Sequence, residues 1–129
     1  MLILCVRTDK PETELYLYND RTLLGKDVWV ADRQLAETLH THIHSLLGEH
    51  GANWDSIEGA VVYRGPGSFT GLRIGIAVAN AIATDEIPIV GAQGEDWTTV
   101  GISKLLEGKN DRVVTPEYGA PVHITTRKA

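Results

Sequence analysis

The order of apolar and polar positions divides the chain into strands followed by alternating helices and strands. Short apolar or alternating runs predict strands at residues 2–7, 14–18, 27–30, 59–63 and 87–91. Apolar residues at helical spacing predict helices at 32–49, 70–84 and 97–106, the last with Asp96 as its N-cap. Two late edge strands are predicted at 112–115 and 121–125. This order favours an α/β fold, in which helices cover a sheet.

The helix predicted over residues 70–84 is apolar on every side. Arg73 is its single charged residue before Thr84, and a helix of this kind must be covered all round. Small residues recur at intervals of four, which places them on one face where a second helix can approach closely. One interpretation is a buried helix on the chain's own sheet. The other is a subunit contact made by Phe69, Gly71, Leu72, Gly75, Ile76, Ala79, Ile82 and Ala83.

A glycine-rich loop, RGPG at residues 64–67, precedes this helix. Glycine admits a positive φ, so we expect Gly65 or Gly67 to adopt one. Backbone N–H groups of such a loop and of a helix N-terminus can hold an anion. An anion contact at Gly65, Gly67 and Ser68 is therefore one interpretation, and a plain tight turn is the other. We expect Ser68 to cap the helix, because the segment lacks the Gly-x-Ser-x-Gly pattern of a nucleophilic serine.

Composition restricts the possible functions. A length of 129 residues with 43% hydrophobic residues predicts one globular domain, and a net charge of −5 argues against a chain that grips nucleic acid by itself. The apolar run at residues 2–7 is too short for a signal peptide or a membrane span. Cys5 within it has no cysteine partner and is expected to be a small buried hydrophobic residue. We therefore expect a cytoplasmic protein without membrane contact.

Two polar clusters each have a functional and a structural interpretation. His40 and His44 lie four apart on a predicted helix, so one face presents both to a metal ion. No carboxylate or cysteine accompanies them, which favours a solvated face. The acidic residues near the first hairpin are interpreted as a solvated patch rather than a carboxylate site; they are Asp9, Glu12, Glu14 and Asp20. No metal, cofactor or catalytic set is expected.

The segment RGPGSFTGLRIG, residues 64–75, resembles the signature of the TsaB (YeaZ) family. Members of that family are bacterial partner subunits in the synthesis of N6-threonylcarbamoyladenosine (t6A) in tRNA. Residues 37–47 resemble the family's helix, and IPIVG at 87–91 resembles the strand after the signature helix. The resemblance extends from Leu2 to about Trp97, and PEY at 116–118 resembles the family's terminus.

The resemblance implies the actin-like, sugar-kinase-like ATPase fold, which is ribonuclease H-like. A single lobe is expected over residues 1–107, with a short C-terminal remnant over 108–129. The resemblance also implies a non-catalytic subunit that pairs with the catalytic TsaD homologue as a heterodimer. A TsaE-type ATPase would join the two, and tRNA would be bound only through the complex.

The chain departs from the family pattern in two places. Arg7-Thr8 stands where the family's first strand ends in Asp-Thr, so a carboxylate that would organise a metal-bound nucleotide is missing. Only about twenty residues follow the last predicted helix, and we expect the second lobe to be absent or reduced to a hairpin. Two alternatives stay open. One is a degenerate nucleotide-binding or phosphotransferase domain that uses the glycine loop, and the other is a stand-alone regulatory homodimer.

Overall fold

A five-stranded mixed sheet forms the centre of the computed structural model, which describes residues 1–31, 34–84 and 86–119. Its strands are β1 (Leu2–Arg7), β2 (Glu12–Asn19), β3 (Thr22–Val30), β4 (Gly59–Tyr63) and β5 (Ile89–Ala92). The helices are α1 (Leu35–Glu49), α2 (Phe69–Ala83) and α3 (Trp97–Leu106), and a short 3₁₀ turn spans Trp54–Ser56.

The sheet order is β3-β2-β1-β4-β5. The first three strands form an antiparallel meander, while β1, β4 and β5 are parallel neighbours. Parallel strands need a crossover, and α2 is the crossover from β4 to β5. The carboxyl ends of β1, β4 and β5 therefore meet at one edge of the sheet, which we call the carboxyl edge. The glycine loop leaves β4 at this edge.

Helices cover both faces of the sheet. Successive strand residues point to opposite faces, and on β2 the fully buried Leu15 and Leu17 lie on the side of the sheet that α1 covers. Tyr16 between them is half-buried and meets the edge of the Trp97 ring of α3, with 6.0 Å between the ring centroids. Val61 of β4 also packs against α3, under Gly101. The hydrophobic core thus consists of two layers, one on each side of the sheet.

The structure confirms the predicted α/β fold. It lengthens β3, which begins at Thr22 instead of residue 27, because pairing with β2 carries the strand through the polar and glycine positions 25–27. It begins α1 at Leu35, and residues 32 and 33 lie outside the described residues. Asp96 takes the N-cap position of α3, but its side chain makes no capping hydrogen bond within the described chain. The predicted N-cap position is therefore confirmed, without the side-chain hydrogen bond that usually accompanies it.

The segment after α3 does not form the predicted strand at residues 112–115. The side-chain amide of Asn80 donates to the Val114 carbonyl and accepts from the Val114 N–H, both at 3.0 Å. Because these bonds join the segment to α2, it adds no strand to the sheet. Side chains of Asn110 and Asp111 accept from N–H groups on the free edge of β5. The strand predicted at 121–125 lies outside the described residues, and the boundary at 107 stays a prediction.

Among the described residues, the helices are all too short or too polar to cross a membrane.

Candidate partner-binding helix and glycine loop

The inner face of α2 packs on the chain's own sheet. Leu72, Gly75, Ile76, Ala79 and Ala83 are buried there. Apolar burial of this kind stabilises by about 25 cal/mol per Å², so the inner face fixes α2 in place. These residues are therefore part of the core.

Thr8, just beyond β1, explains why two positions on this helix are glycine. Its hydroxyl donates to the Gly71 carbonyl at 2.6 Å, and Thr8 is 2% exposed. A Cβ on Gly75 would overlap that hydroxyl and lie 2.8 Å from Thr8 Cγ2, and a Cβ on Gly71 would overlap the Thr8 carbonyl oxygen. The small residues at positions 71 and 75 thus leave room for Thr8 of the same chain. The interpretation that this small-residue stripe faces a second helix is corrected accordingly.

The outer face of α2 is apolar as well. Phe69 is 55% exposed, and the half-buried side chains along this face are Ile74, Val78 and Ile82. Ala77 and Ala81 lie exposed between them. Arg73 supplies the single charge of the helix, and its guanidinium lies over the Phe69 ring, 5.2 Å from the centroid. This outer face is the part of α2 that a second chain can reach.

Of the residues predicted to form a subunit contact, Phe69 and Ile82 lie on the outer face of α2. The prediction omitted Ile74, Ala77, Val78 and Ala81. A second series at intervals of four, residues 70, 74, 78 and 82, runs beside the small-residue stripe and marks the outer face in the sequence. The subunit contact itself stays a prediction.

The glycine loop is held by the segment that follows α3. Gly65 has a φ of +125°, which confirms the predicted positive φ, and a Cβ there would overlap the Glu117 carbonyl oxygen. The Glu117 N–H donates to the Arg64 carbonyl at 2.7 Å, and Arg64 Nε donates to the Thr115 carbonyl at 3.0 Å. Tyr118 stacks on Phe69 with ring centroids 4.6 Å apart. These contacts fix the loop and the start of α2 together.

Asp9 packs against the glycine loop. The Ser68 N–H donates to the Asp9 carbonyl at 3.0 Å, and a Cβ on Gly67 would lie 3.0 Å from the Asp9 carboxylate. Ser68 takes the N-cap position of α2, but its side chain makes no capping hydrogen bond within the described chain. The predicted N-cap position of Ser68 is therefore confirmed, but the expected capping bond of its hydroxyl is not made. The anion contact at Gly65, Gly67 and Ser68 stays a prediction. The negative charge of the Asp9 carboxylate beside Gly67 would repel an anion there.

The charged residues at the carboxyl edge are paired with one another. Arg7 donates to both Asp9 oxygens, from Nε at 2.7 Å and from Nη2 at 3.2 Å, and its guanidinium lies 3.9 Å from the Tyr63 ring centroid. Burial would lower the pKa of Arg7, but the hydrogen bonds and charge of Asp9 raise it above its ordinary value. Glu14 accepts from Tyr16 and pairs with Lys10. The pKa of Glu14 is lowered because these two hydrogen bonds outweigh its partial burial.

The acidic patch near the first hairpin is therefore divided. Asp9 pairs with Arg7, Glu14 with Lys10, and Asp20 with the amino group of Met1 at 2.7 Å. In the described part of the chain, no three His, Cys, Asp or Glu side chains are placed to hold a metal ion.

The histidines of α1 point to separate places. His40 stacks on Trp54 with ring centroids 4.7 Å apart. His42 stacks on Trp29 of β3 at 3.7 Å, and its Nδ1 lies 2.6 Å from an Asp27 carboxylate oxygen. His44 is exposed. His42 thus helps to join α1 to β3, a contact between distant residues that the histidine spacing did not reveal.

Cys5 is fully buried, and burial raises the pKa of its thiol. This confirms the prediction of a small buried hydrophobic residue.

Comparisons with known proteins give a consistent picture. A family model described as "TsaD: tRNA N6-adenosine threonylcarbamoyltransferase" matches residues 29–94, half of the chain. The tRNA threonylcarbamoyladenosine biosynthesis protein TsaB of Escherichia coli is 30% identical in an alignment of 121 residues that covers 88% of this chain and 52% of that protein. The Bacillus subtilis TsaB is 26% identical over 92% of this chain and 55% of its own length. The chain thus spans about half the length of these relatives.

A more distant relative and two solved structures extend the comparison. The tRNA N6-adenosine threonylcarbamoyltransferase of Geobacter metallireducens is 34% identical in an alignment of 108 residues that covers 70% of this chain and 32% of that protein. YeaZ from Pseudomonas aeruginosa superposes with a TM-score of 0.65 at 27% identity, over 71% of this chain and 43% of the other. The Thermus thermophilus RuvC structure has a TM-score of 0.51 at 11% identity, over 92% of this chain and 86% of the other. RuvC therefore shows the fold alone.

The sheet order, the helices on both faces and the YeaZ superposition define one lobe of the actin-like, ribonuclease H-like ATPase fold, as predicted. Within that class, the chain belongs to the family described by the TsaD model, which matches half of its length. Its similarity to TsaB and YeaZ proteins assigns it to the TsaB/YeaZ group of that family.

Proposed function

We propose that this chain is a non-catalytic subunit of the t6A-synthesising machinery and that it pairs with a TsaD homologue. The names of its curated relatives support a role in t6A biosynthesis. The observation that carries the pairing is the outer face of α2, where an apolar surface with one charge lies on the outside of a folded lobe.

The expected partner has the same architecture on its side of the contact. This chain is similar to a TsaD enzyme as well as to TsaB proteins, so a TsaD homologue carries a related lobe. Two related lobes can pack helix against helix, with each partner burying about 800 Å² in an interface of standard size. The exposed Ala77 and Ala81 have short side chains, which let the two helix backbones approach closely.

The carboxyl edge supports a non-catalytic role. A nucleotide-binding version of this site needs a carboxylate that is available to hydrated Mg²⁺. Here the Asp9 carboxylate accepts two hydrogen bonds from Arg7 and is 9% exposed. A cation would have to displace a paired guanidinium, which disfavours the alternative of a phosphotransferase.

The proposal extends to the rest of the assembly. A TsaE-type ATPase would join the pair, tRNA would be bound only through the complex, and the work would take place in the cytoplasm. When the partner is missing, the outer face of α2 would favour a homodimer, since an exposed apolar patch promotes self-association.

Co-expression tests the pairing directly. The full chain is produced with the TsaD homologue of the same genome, with an affinity tag on the homologue alone, and the product is separated by gel filtration. We expect one peak that contains both chains in equal amounts. Separate elution of the two chains, with both folded by circular dichroism, would overturn the proposal.

A further inference from the structure

A groove runs beside the last two turns of α2. It lies between that helix, α1 and the 3₁₀ turn Trp54–Ser56, and its volume is about 870 Å³. Its floor is apolar and includes the buried Ile57 and the half-buried Val78 and Ile82. Because Val78 and Ile82 also belong to the outer face of α2, the groove continues the surface proposed to bind the partner.

The wall opposite α2 is built before any partner arrives. Trp54 stacks on His40 of α1. A capping box closes the 3₁₀ turn. In it the Asn53 side chain accepts from the Asp55 N–H at 2.9 Å, and the Ser56 hydroxyl accepts from the Asn53 N–H at 3.0 Å. A preformed site loses less entropy on binding than one that must be ordered. The groove therefore has the features of a docking site for an apolar side chain.

Three carboxylates lie on the rim of the groove, and His40 is the one titratable base among its described lining residues. Asp55, Glu58 and Glu86 line it, and among the described residues that line it there is no lysine or arginine. Glu58 also accepts from the Leu2 N–H at 2.8 Å, so this part of the rim is anchored to β1. Acidic groups around a concave, low-dielectric surface concentrate a negative potential there. An occupant must therefore supply positive charge next to its apolar anchor.

We propose that the segment of the TsaD-type partner that meets this end of α2 inserts an apolar side chain into the groove and places a neighbouring lysine or arginine against Asp55 and Glu86. This inference rests on the proposed function and adds the chemistry of the partner's contact segment. The acidic rim sets the register of the two helices and accelerates association, because complementary charge acts mainly on specificity and on the rate of encounter.

The test measures binding of the full chain to the purified TsaD homologue by calorimetry, at about 50 mM and about 300 mM salt. The groove variant is Asp55→Asn with Glu86→Gln. The matched control is Glu12→Gln with Glu95→Gln, two exposed carboxylates outside the groove, which changes net charge by the same amount. We expect the groove variant to bind about threefold to tenfold more weakly than wild type at low salt, the control to bind like wild type, and the difference to shrink at high salt.

Three results would overturn the inference while leaving the pairing intact. In the first, the groove variant and the control lose the same amount of affinity for the partner. In the second, the groove variant binds the partner more tightly than wild type. In the third, the groove variant changes the self-association of the isolated chain and leaves its affinity for the partner unchanged. Failure of wild type itself to bind would overturn the proposed function, so the two failures are distinguishable.

Discussion

Substituting Gly75 by alanine tests which way the small-residue stripe of α2 faces. In the structure the added Cβ would overlap the Thr8 hydroxyl and lie 3.0 Å from Thr8 Cβ, inside the core. Overpacking of this kind costs about 1–3 kcal/mol. If Thr8 rotates away, its bond to the Gly71 carbonyl is lost, which costs about 1 kcal/mol more. Alanine returns about 1 kcal/mol through its higher helix propensity.

The expected sum is a loss of about 1–3 kcal/mol in the free energy of unfolding. At about 4 °C per kcal/mol for a chain of this size, the melting temperature falls by about 4–12 °C. Gly48→Ala in α1 is the matched control, because a Cβ there meets nothing within 4 Å. It is expected to stabilise by up to about 1 kcal/mol. Urea unfolding of both variants measures the difference.

A double-mutant cycle with Thr8→Ala identifies the cause. Removing the hydroxyl relieves part of the overlap, so Gly75→Ala should cost at least about 1 kcal/mol less in the Thr8→Ala background. If Gly75→Ala stabilises as much as Gly48→Ala, the stripe faces solvent and the packing described here is wrong. If the two substitutions are additive, Thr8 is not the obstacle.

Three further predictions concern the loop and the carboxyl edge. Gly65→Ala should lower stability by more than about 1 kcal/mol in urea unfolding, because a positive φ and the Glu117 carbonyl both oppose a side chain there; an unchanged midpoint would contradict the loop geometry. The carboxylate of Glu14 should stabilise the fold fully above its ordinary pKa of 4.5 and lose that contribution as pH falls through its lowered folded pKa. Tyr16→Phe should therefore make unfolding less dependent on pH in this acid range, and an identical pH profile would exclude the hydrogen bond as a cause. Titration of the isolated chain with ATP and Mg²⁺ should show no tight binding, because the carboxylate beside the glycine loop, Asp9, is already paired with Arg7. Tight, Mg²⁺-dependent binding would favour the nucleotide-binding alternative.

Local patterns determine most of the fold. Alternating apolar and polar residues predicted β2, and apolar residues at helical spacing predicted α1. In the structure the apolar positions Leu15 and Leu17 of β2 are fully buried, and the stripe of α1 from Leu35 to Leu47 is buried as well. The start of β3 was harder to predict, because the length of this strand depends on its pairing with β2 rather than on its own sequence pattern. The C-terminal segment was mistaken for a strand because the side chain that binds Val114 is Asn80, 34 positions away.

The candidate site shows the limit of sequence spacing more sharply. An interval of four places Gly71 and Gly75 on one face of a helix, but it does not say which neighbour requires small residues there. The neighbour is Thr8, brought under α2 by the parallel pairing of β1 and β4. The ion pair between Arg7 and Asp9 likewise depends on the turn after β1, which brings the two side chains together.

The most direct test of the central claim is the affinity of outer-face variants for the TsaD homologue. Ala77→Glu places a charge in the middle of the outer face of α2, and a glutamate there lies one turn after Arg73, so the isolated helix should tolerate it. Thr99→Glu on an exposed position of α3, across the sheet, is the control. We predict that Ala77→Glu binds at least about tenfold more weakly, since a charge must be desolvated in the interface, while Thr99→Glu binds like wild type. Wild-type affinity for a folded Ala77→Glu variant would show that α2 is not the surface that binds the partner.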